Sequence, residues 1–469
     1  MRKTLAVLLL MLSTTSMSTV TLPATPAAKV FGAWLTAYNS GDPKQLQDYK
    51  DTYHRSWAVQ RILDDRMRTG GYTVLRVEKS EPMELTVLLQ EKDSDAVHRE
   101  DVVIGAGDPP ASVAMSIQHD VQRPADLKVK RLTQAQVIDA LAGRATALEA
   151  QDKFSGAILV ACQGNILLQR GWGKANRSSG MANAVDTQFR IGSMNKMFTS
   201  VAVLQLVQDG KVSLDAPFGR YLTDYPNKSA ASRVTIRELL NHTGGTGDIF
   251  GADFDANRDK LRSNDDYVKL YGSRELDHAP GEKFEYSNYG FVLLGAVIEK
   301  VSGMPYYDYV ERHVFKPAGM SSTGSLPESD ALPRRASGYM RENGTWGAND
   351  GTLPFRGTAA GGGYSTVGDL FRFTQALQAG KLVSKAALSA ATQPVFHDAS
   401  SGYGYGYGFE VLGEEDLKSY GHEGGAPGMN GELRVFPDQG YVVVVLSNLD
   451  PPAAHRLVEY FSLRMPRSH

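Results

Sequence analysis

Apolar residues first recur at helical spacing, then alternate, then cover every face of longer segments, and near the end alternate again. Val30, Phe31, Trp34, Leu35 and Tyr38 fall on one helix face, and the pattern stops at Asn39-Ser40-Gly41-Asp42. A second helix is predicted from about Pro43 and a third from Trp57 to Met67, ended by Gly70-Gly71. Tyr72 to Glu78, Met83 to Glu91, His98 to Ile104 and Ser112 to His119 are short alternating or apolar runs. Charged or Gly/Pro turns separate them, which predicts an antiparallel sheet. Helices followed by a sheet make a small α+β domain over residues 29–123, with a linker at 124–132.

A second domain, 133–469, opens with Thr133-Gln134-Ala135-Gln136, a capping box for a helix that carries Val137, Leu141 and Leu148. Gly156 to Cys162 and Ile166 to Gly171 predict a hairpin around Gln163-Gly164-Asn165. Residues 186–390 are mostly helical in pattern. Strands return at Tyr405 to Leu412, Lys418 to His422, Glu432 to Phe436 and Tyr441 to Ser447, before a last helix from Ala453 to Arg464. The Gly-Tyr alternation from Gly402 to Phe409 suits a strand whose glycines face a close neighbour. Strands at both ends and helices between them predict one sheet built from distant segments, flanked by the first and last helices, with a helical lobe inserted. A catalytic cleft belongs where sheet and lobe meet.

Composition adds bounds. The chain has 469 residues, enough for two domains, with 42% hydrophobic and 22% charged residues, a globular balance. A net charge of −2 gives no reason to expect nucleic acid or an anionic membrane as partner. One cysteine, Cys162, excludes an internal disulfide and multi-cysteine metal sites, and its apolar neighbours make it a small buried hydrophobe. Arg2 and Lys3 precede the short apolar run Leu5 to Leu12, which reads as a secretory signal over residues 1–28. Cleavage is placed after Ser18 or Ala28, and no cysteine is near for lipid anchoring. The expectation is an exported protein, periplasmic or secreted, with no membrane span in the mature chain.

The candidate chemistry begins at Ser193-Met194-Asn195-Lys196, the only Ser-x-x-Lys in the sequence. It opens an apolar helical run that ends at Gly210, so Lys196 can sit beside the Ser193 hydroxyl at a helix N-terminus. A serine hydroxyl needs such a base to become a nucleophile. An ordinary solvated pair in a first helical turn is the other reading of the same letters. Tyr286-Ser287-Asn288 follows the Pro280-Gly281 turn at the entrance to a second apolar helix. A phenol beside an ammonium has its ionised form favoured, so Tyr286 is a candidate general base. Asn288 can donate to a substrate carbonyl or orient the lysine. The competing Tyr225-Pro226-Asn227 reads as a surface turn, given Arg220 and Asp224 beside it. In Gly421-His422-Glu423-Gly424-Gly425 the paired glycines suit a strand whose backbone closely approaches something. An oxyanion hole made by the Ser193 and Gly425 N–H groups requires that approach. His422 can donate to substrate or to Tyr286.

Ser-x-x-Lys, Tyr-x-Asn and His-x-Gly, in that order, resemble the serine hydrolases of the class C β-lactamase and DD-peptidase superfamily. Thr235-Ile-Arg-Glu-Leu-Leu-Asn-His-Thr-Gly-Gly and Gly361-Gly-Gly-Tyr-Ser-Thr-Val-Gly-Asp-Leu are similar to recurring segments of that family, and the likeness covers about 135–465. The resemblance implies an α/β fold of β-lactamase/transpeptidase type: a central antiparallel sheet flanked by helices, with a helical lobe. It also implies an acyl-enzyme on Ser193, proton transfer through Lys196 and Tyr286, a site completed by Asn288, His422, Gly424 and Gly425, and hydrolysis without metal or cofactor. His242 belongs to a family turn and is read as structural.

The third box departs from the Lys-Thr-Gly of class C β-lactamases. A Glu423 facing the cleft opposes a carboxylate ligand and favours a neutral ester or an amine-bearing substrate, whereas strand alternation can turn it away. Small esters, amides or peptides are therefore the expected substrates, in the manner of esterases, D-aminopeptidases and DD-peptidases. The alternatives are an acylating envelope sensor with little turnover and a weak β-lactamase. The first helix, Ala-Trp-Leu-Thr-Ala-Tyr-Asn-Ser-Gly-Asp, and the order of elements after it resemble NTF2-like (SnoaL-like) cone domains. Asp51, His54 and Asp64 are read there as solvated surface rather than pocket lining. Oligomeric state is left open.

Overall fold

The computed structural model describes residues 20–119, 121–342, 344–349, 351–398, 402–413 and 417–467. Two compact units divide between Val121 and Gln122. The apolar core of the expected signal, Leu5 to Leu12, lies outside the described residues.

In the first unit Thr25 accepts a hydrogen bond from the Ala28 N–H and starts the helix Pro26–Ser40, which Gly41 ends in a left-handed conformation. Asp42 caps Pro43–Thr52, and Gly70 ends Val59–Thr69. Four strands follow in a consecutive antiparallel meander, Tyr72–Ser80, Glu84–Glu91, Val97–Ile104 and Val113–Gln118. The first helix presses Phe31, Trp34 and Tyr38 onto Val87, Leu89 and Val102. The rings of Trp34, Tyr38 and Tyr72 form one stack at spacings of 4.9 and 5.0 Å. Ala27 and Ala28 are buried in this core. Cleavage after Ala28 would therefore remove the cap and first turn of a packed helix, whereas cleavage after Ser18 leaves both. Asp51, His54 and Asp64 are exposed.

The second unit begins with the Thr133/Gln136 capping box and the helix Gln134–Ala150. Its antiparallel sheet has eight strands in the order Phe396–Asp398, Tyr403–Tyr405, Glu410–Leu412, Ser419–Ala426, Met429–Phe436, Tyr441–Ser447, Gly156–Cys162 and Asn165–Trp172. Every residue of Tyr441–Ser447 and Gly156–Cys162 is buried, as strands covered on both faces must be. One face packs on Gln134–Ala150 and Ala453–Arg464 through Val137, Leu141, Leu457 and Phe461. The other packs on Asn195–Gln208 and on the lobe around Asn288–Ser302 and Val367–Gln378. Cys162 is buried, its thiol 3.9 Å from the Gln439 carbonyl oxygen.

Two local expectations fail. The Gly-Tyr run is not one strand, because the Gly406 N–H donates to the Phe409 carbonyl and divides it into the short strands 403–405 and 410–412. Gly408, at φ 70°, makes this turn possible, since a Cβ there would lie 2.7 Å from Ser200 Cβ and 3.0 Å from the Lys196 carbonyl oxygen. Nor is Tyr225 at the surface: it is buried, its ring 4.8 Å from that of Phe218 and its hydroxyl 3.1 Å from that of Tyr289. Arg220 and Asp224 do face solvent, but one turn carries both faces, and the phenol takes the inner one.

Candidate active site

Ser193 lies in the 3₁₀ turn Gly192–Met194, directly before the helix Asn195–Gln208. That helix is apolar on all sides because sheet and lobe enclose it, and the enclosure leaves Lys196 with no exposed surface. Lys196 Nζ lies 3.2 Å from Ser193 Oγ, 2.7 Å from Asn288 Oδ1 and 2.5 Å from the Ala360 carbonyl oxygen. Burial drives its pKa down from 10.5 to about 7, against the opposing pull of Asp248 and then Glu410. A neutral amine has two N–H donors and one lone pair. The Asn288 and Ala360 oxygens accept only, so in the neutral form they take both N–H groups and leave the lone pair for the Ser193 O–H, whereas the ammonium donates its third N–H to Ser193 Oγ.

The Tyr286-Ser287-Asn288 box enters the helix Asn288–Ser302, with Ser287 Oγ as its N-cap, accepting from the Gly290 N–H. Ser287 also donates its hydroxyl to the Gly247 carbonyl, and its N–H donates to His242 Nδ1. His242 stands at φ 60° with its ring 4.3 Å from that of Tyr286, buried and held well below its usual pKa by desolvation. It packs behind the box as a wedge.

Tyr286 departs from the sequence reading. Lys196 Nζ sits over its ring, 4.6 Å from the centroid, rather than at the phenolic oxygen. Burial pushes the phenol well above 10, and a hydrogen bond with Ser193 opposes this by less. The hydroxyl therefore keeps its proton, and tyrosinate is not the resting form. Asn288 is likewise committed: Oδ1 to Lys196, and Nδ2 as donor to Asp248 Oδ2 at 3.2 Å. It orients the lysine through Oδ1, and Asp248 takes one of its two Nδ2 hydrogens.

In the third box the strand Ser419–Ala426 runs against the serine turn. A Cβ on Gly424 would lie 2.0 Å from the Ile191 carbonyl oxygen and 3.1 Å from the Ser193 nitrogen, so no other residue fits there. A Cβ on Gly192 would lie 3.1 Å from the Gly425 nitrogen, which puts the Gly425 N–H beside the serine turn. His422 is buried and is not free to donate to substrate or to Tyr286. Its Nδ1 lies 2.6 Å from the Glu423 carbonyl, which can only accept, so Nε2 accepts the Tyr405 O–H at 3.0 Å. Desolvation lowers its pKa to about 4, so the ring is neutral at pH 7. Glu423 pairs across the strands with Glu432 and faces the side of the sheet opposite His422, where His455 Nδ1 is 4.0 Å away. Glu423 nonetheless lines the cleft that holds Ser193, at its exposed rim.

A cleft of about 650 Å³ joins these groups, with Ser193, Tyr286, Tyr403, His422, Gly425 and Asp450 in its wall. Sequence reasoning missed Asp248, the Ala360 carbonyl, Tyr405 and Glu410. Ala360 lies next to the Gly361-Gly-Gly segment, a signal that marked the neighbourhood but not the atom.

Comparison with known proteins agrees with this geometry. The Beta-lactamase family profile matches residues 136–463. A putative penicillin-binding protein of Bacillus subtilis is 32% identical over 298 residues, covering 62% of this chain and 70% of its own. The crystal structure of a penicillin binding protein from Bacillus halodurans matches with a TM-score of 0.61 and 32% identity, over 67% of this chain and 96% of that one. A D-stereospecific amidohydrolase from Streptomyces matches with a TM-score of 0.57 and 28% identity, over 68% and 97%. Both the fold and the family match make the protein a serine hydrolase: the chain belongs to the β-lactamase family.

Proposed function

We propose that this protein is an exported hydrolase of carboxylic esters or small amides and peptides, working through an acyl-enzyme on Ser193. The observation that carries the reading is the buried Lys196 Nζ, 3.2 Å from Ser193 Oγ and held by the Asn288 and Ala360 oxygens, so that in its neutral form the lone pair is left for the Ser193 hydroxyl. In the proposed cycle the Ser193 proton passes to Lys196 Nζ as Oγ bonds to the substrate carbonyl carbon. The Ser193 and Gly425 N–H groups hold the developing oxyanion. Tyr286, protonated at rest, gives its proton to the leaving alcohol or amine and regains one from Lys196. Water then attacks the acyl-enzyme by the same route, and Ser193 is restored. The D-stereospecific relative supports small amides as substrates.

The N-terminal unit is proposed as an NTF2-like accessory domain, supported by three helices followed by a four-stranded meander. Export rests on the N-terminal charge and apolar pattern. No helix among the described residues is long and apolar enough to cross a membrane.

The test is steady-state hydrolysis of a short-chain p-nitrophenyl ester by the wild type and by Ser193→Ala. Turnover that the substitution abolishes supports the reading. Equal turnover by both proteins contradicts it.

A further inference from the structure

The lysine is aimed by a side chain that never touches the serine. Asp248 sits in the connection after the short helix Ile236–Leu240, and its carboxylate grips Asn288 twice. Oδ1 accepts the Asn288 backbone N–H at 3.3 Å, and Oδ2 accepts Nδ2–H at 3.2 Å. Oδ1 also accepts the Ile249 N–H at 2.7 Å, which fixes the carboxylate itself.

An asparagine amide has one end that donates and one that accepts, and nothing in its shape prefers either orientation. A carboxylate accepts only, so it can face only the NH₂ end. We propose that Asp248 is a positioning residue which locks the Asn288 amide with its oxygen towards Lys196, and so keeps the lysine lone pair directed at Ser193. With the amide reversed, Nδ2 would point at Lys196 and compete with the Ser193 hydroxyl for that lone pair. The inference rests on the assignment of Ser193 and Lys196 above, and extends the site to a residue outside all three sequence boxes.

The charge of Asp248 has a second effect. The titratable groups around Lys196 are Asp248 and Glu410, which favour its protonated form, the neutral rings of His242 and His422, and the protonated Tyr286 phenol. Removing the Asp248 charge lowers the lysine pKa further, so the acid limb of the pH–rate profile moves to lower pH.

Asp248→Asn preserves shape and removes both the charge and the lock. The expected result in the full chain, on a p-nitrophenyl ester, is a fall in kcat of about tenfold or more, comparable to removal of other orienting partners. KM should change little, and the acid limb should move to lower pH. A merely structural role would cut the amount of folded enzyme and leave the limb in place. Asp248→Asn combined with Asn288→Ala should be no slower than Asn288→Ala alone, since the aspartate acts through that amide. Wild-type kcat with an unmoved limb overturns the proposal, as does full additivity of the two substitutions. Should the isosteric variant not fold, Asp248→Glu carries the test: with the charge kept, the limb should stay in place while kcat falls, and a limb that moves overturns the proposal. Retained turnover in Ser193→Ala would instead remove the underlying assignment, a failure distinct from any of these.

Discussion

Two buried charge sites have Glu410 as a common neighbour, and they resolve burial in opposite ways. At one site Lys196 is enclosed by apolar residues, makes no ion pair within the described residues, and falls to a pKa of about 7. At the other Arg434 bridges Glu410 and Glu432, and Glu432 also meets His455 Nδ1 at 3.0 Å. Burial alone would raise Glu432, but Arg434 and His455 outweigh it and bring it to about 2, while Arg434 itself is raised. Burial without a counter-ion thus makes a group that can exchange a proton at neutral pH. Burial with counter-ions makes a fixed ionic clamp. The clamp still serves the cleft, because Glu410 also accepts the Glu423 N–H and so ties down the strand that carries Gly424 and Gly425.

The sharpest way to break this contrast is at the nucleophile. Ser193→Ala should reduce ester turnover by roughly 10⁴-fold or more with folding intact, measured by steady-state kinetics beside a thermal melt. Arg434→Met should be chiefly a stability defect of about 3–5 kcal/mol, because it leaves two buried carboxylates facing each other. Urea unfolding measures it, and an unchanged midpoint would show that the clamp carries no load. Lys196→Met removes an amine that needs no counter-ion once it loses its proton near pH 7, so its stability cost should be smaller, about 1–3 kcal/mol for the hydrogen bonds to Asn288 and Ala360, while turnover is lost. Acid titration separates the sites further. Glu432 has a folded pKa of about 2, below its unfolded value of 4.5. Its contribution is therefore complete above pH 4.5 and is lost as pH falls towards 2. Acid unfolding should accordingly shift to higher pH in Glu432→Gln. The smallest effect on stability belongs to Glu423→Gln, an exposed side chain at the cleft rim, for which less than about 1 kcal/mol is expected.

The sequence patterns made the scaffold legible because period and caps are local. The Thr133 capping box, the meander from Tyr72, the strand Tyr441–Ser447 and the last helix Ala453–Arg464 stand where the alternation and helical spacing put them. The three boxes converge on one cleft wall, and the glycine pair marks a true close approach. What was not legible depends on direction and burial. The Tyr286 ring presents its face to Lys196, and burial raises its pKa, so the phenol stays protonated where the sequence suggested tyrosinate. His422 spends both nitrogens internally because Tyr405, seventeen residues earlier, turns inward beside it. Asp248 reaches Asn288 across forty residues of sequence, a separation at which no spacing rule operates.

The central claim is that Lys196 loses its proton near pH 7 and, once neutral, takes the Ser193 proton. The pH dependence of kcat/KM for a short-chain p-nitrophenyl ester tests it most directly, since that profile titrates the free enzyme. The account predicts an acid limb with a midpoint near 7, activity rising as Lys196 loses its proton. A limb near 10 would mean that the lysine stays charged and another group is the base, and a profile flat down to pH 5 would contradict the account outright.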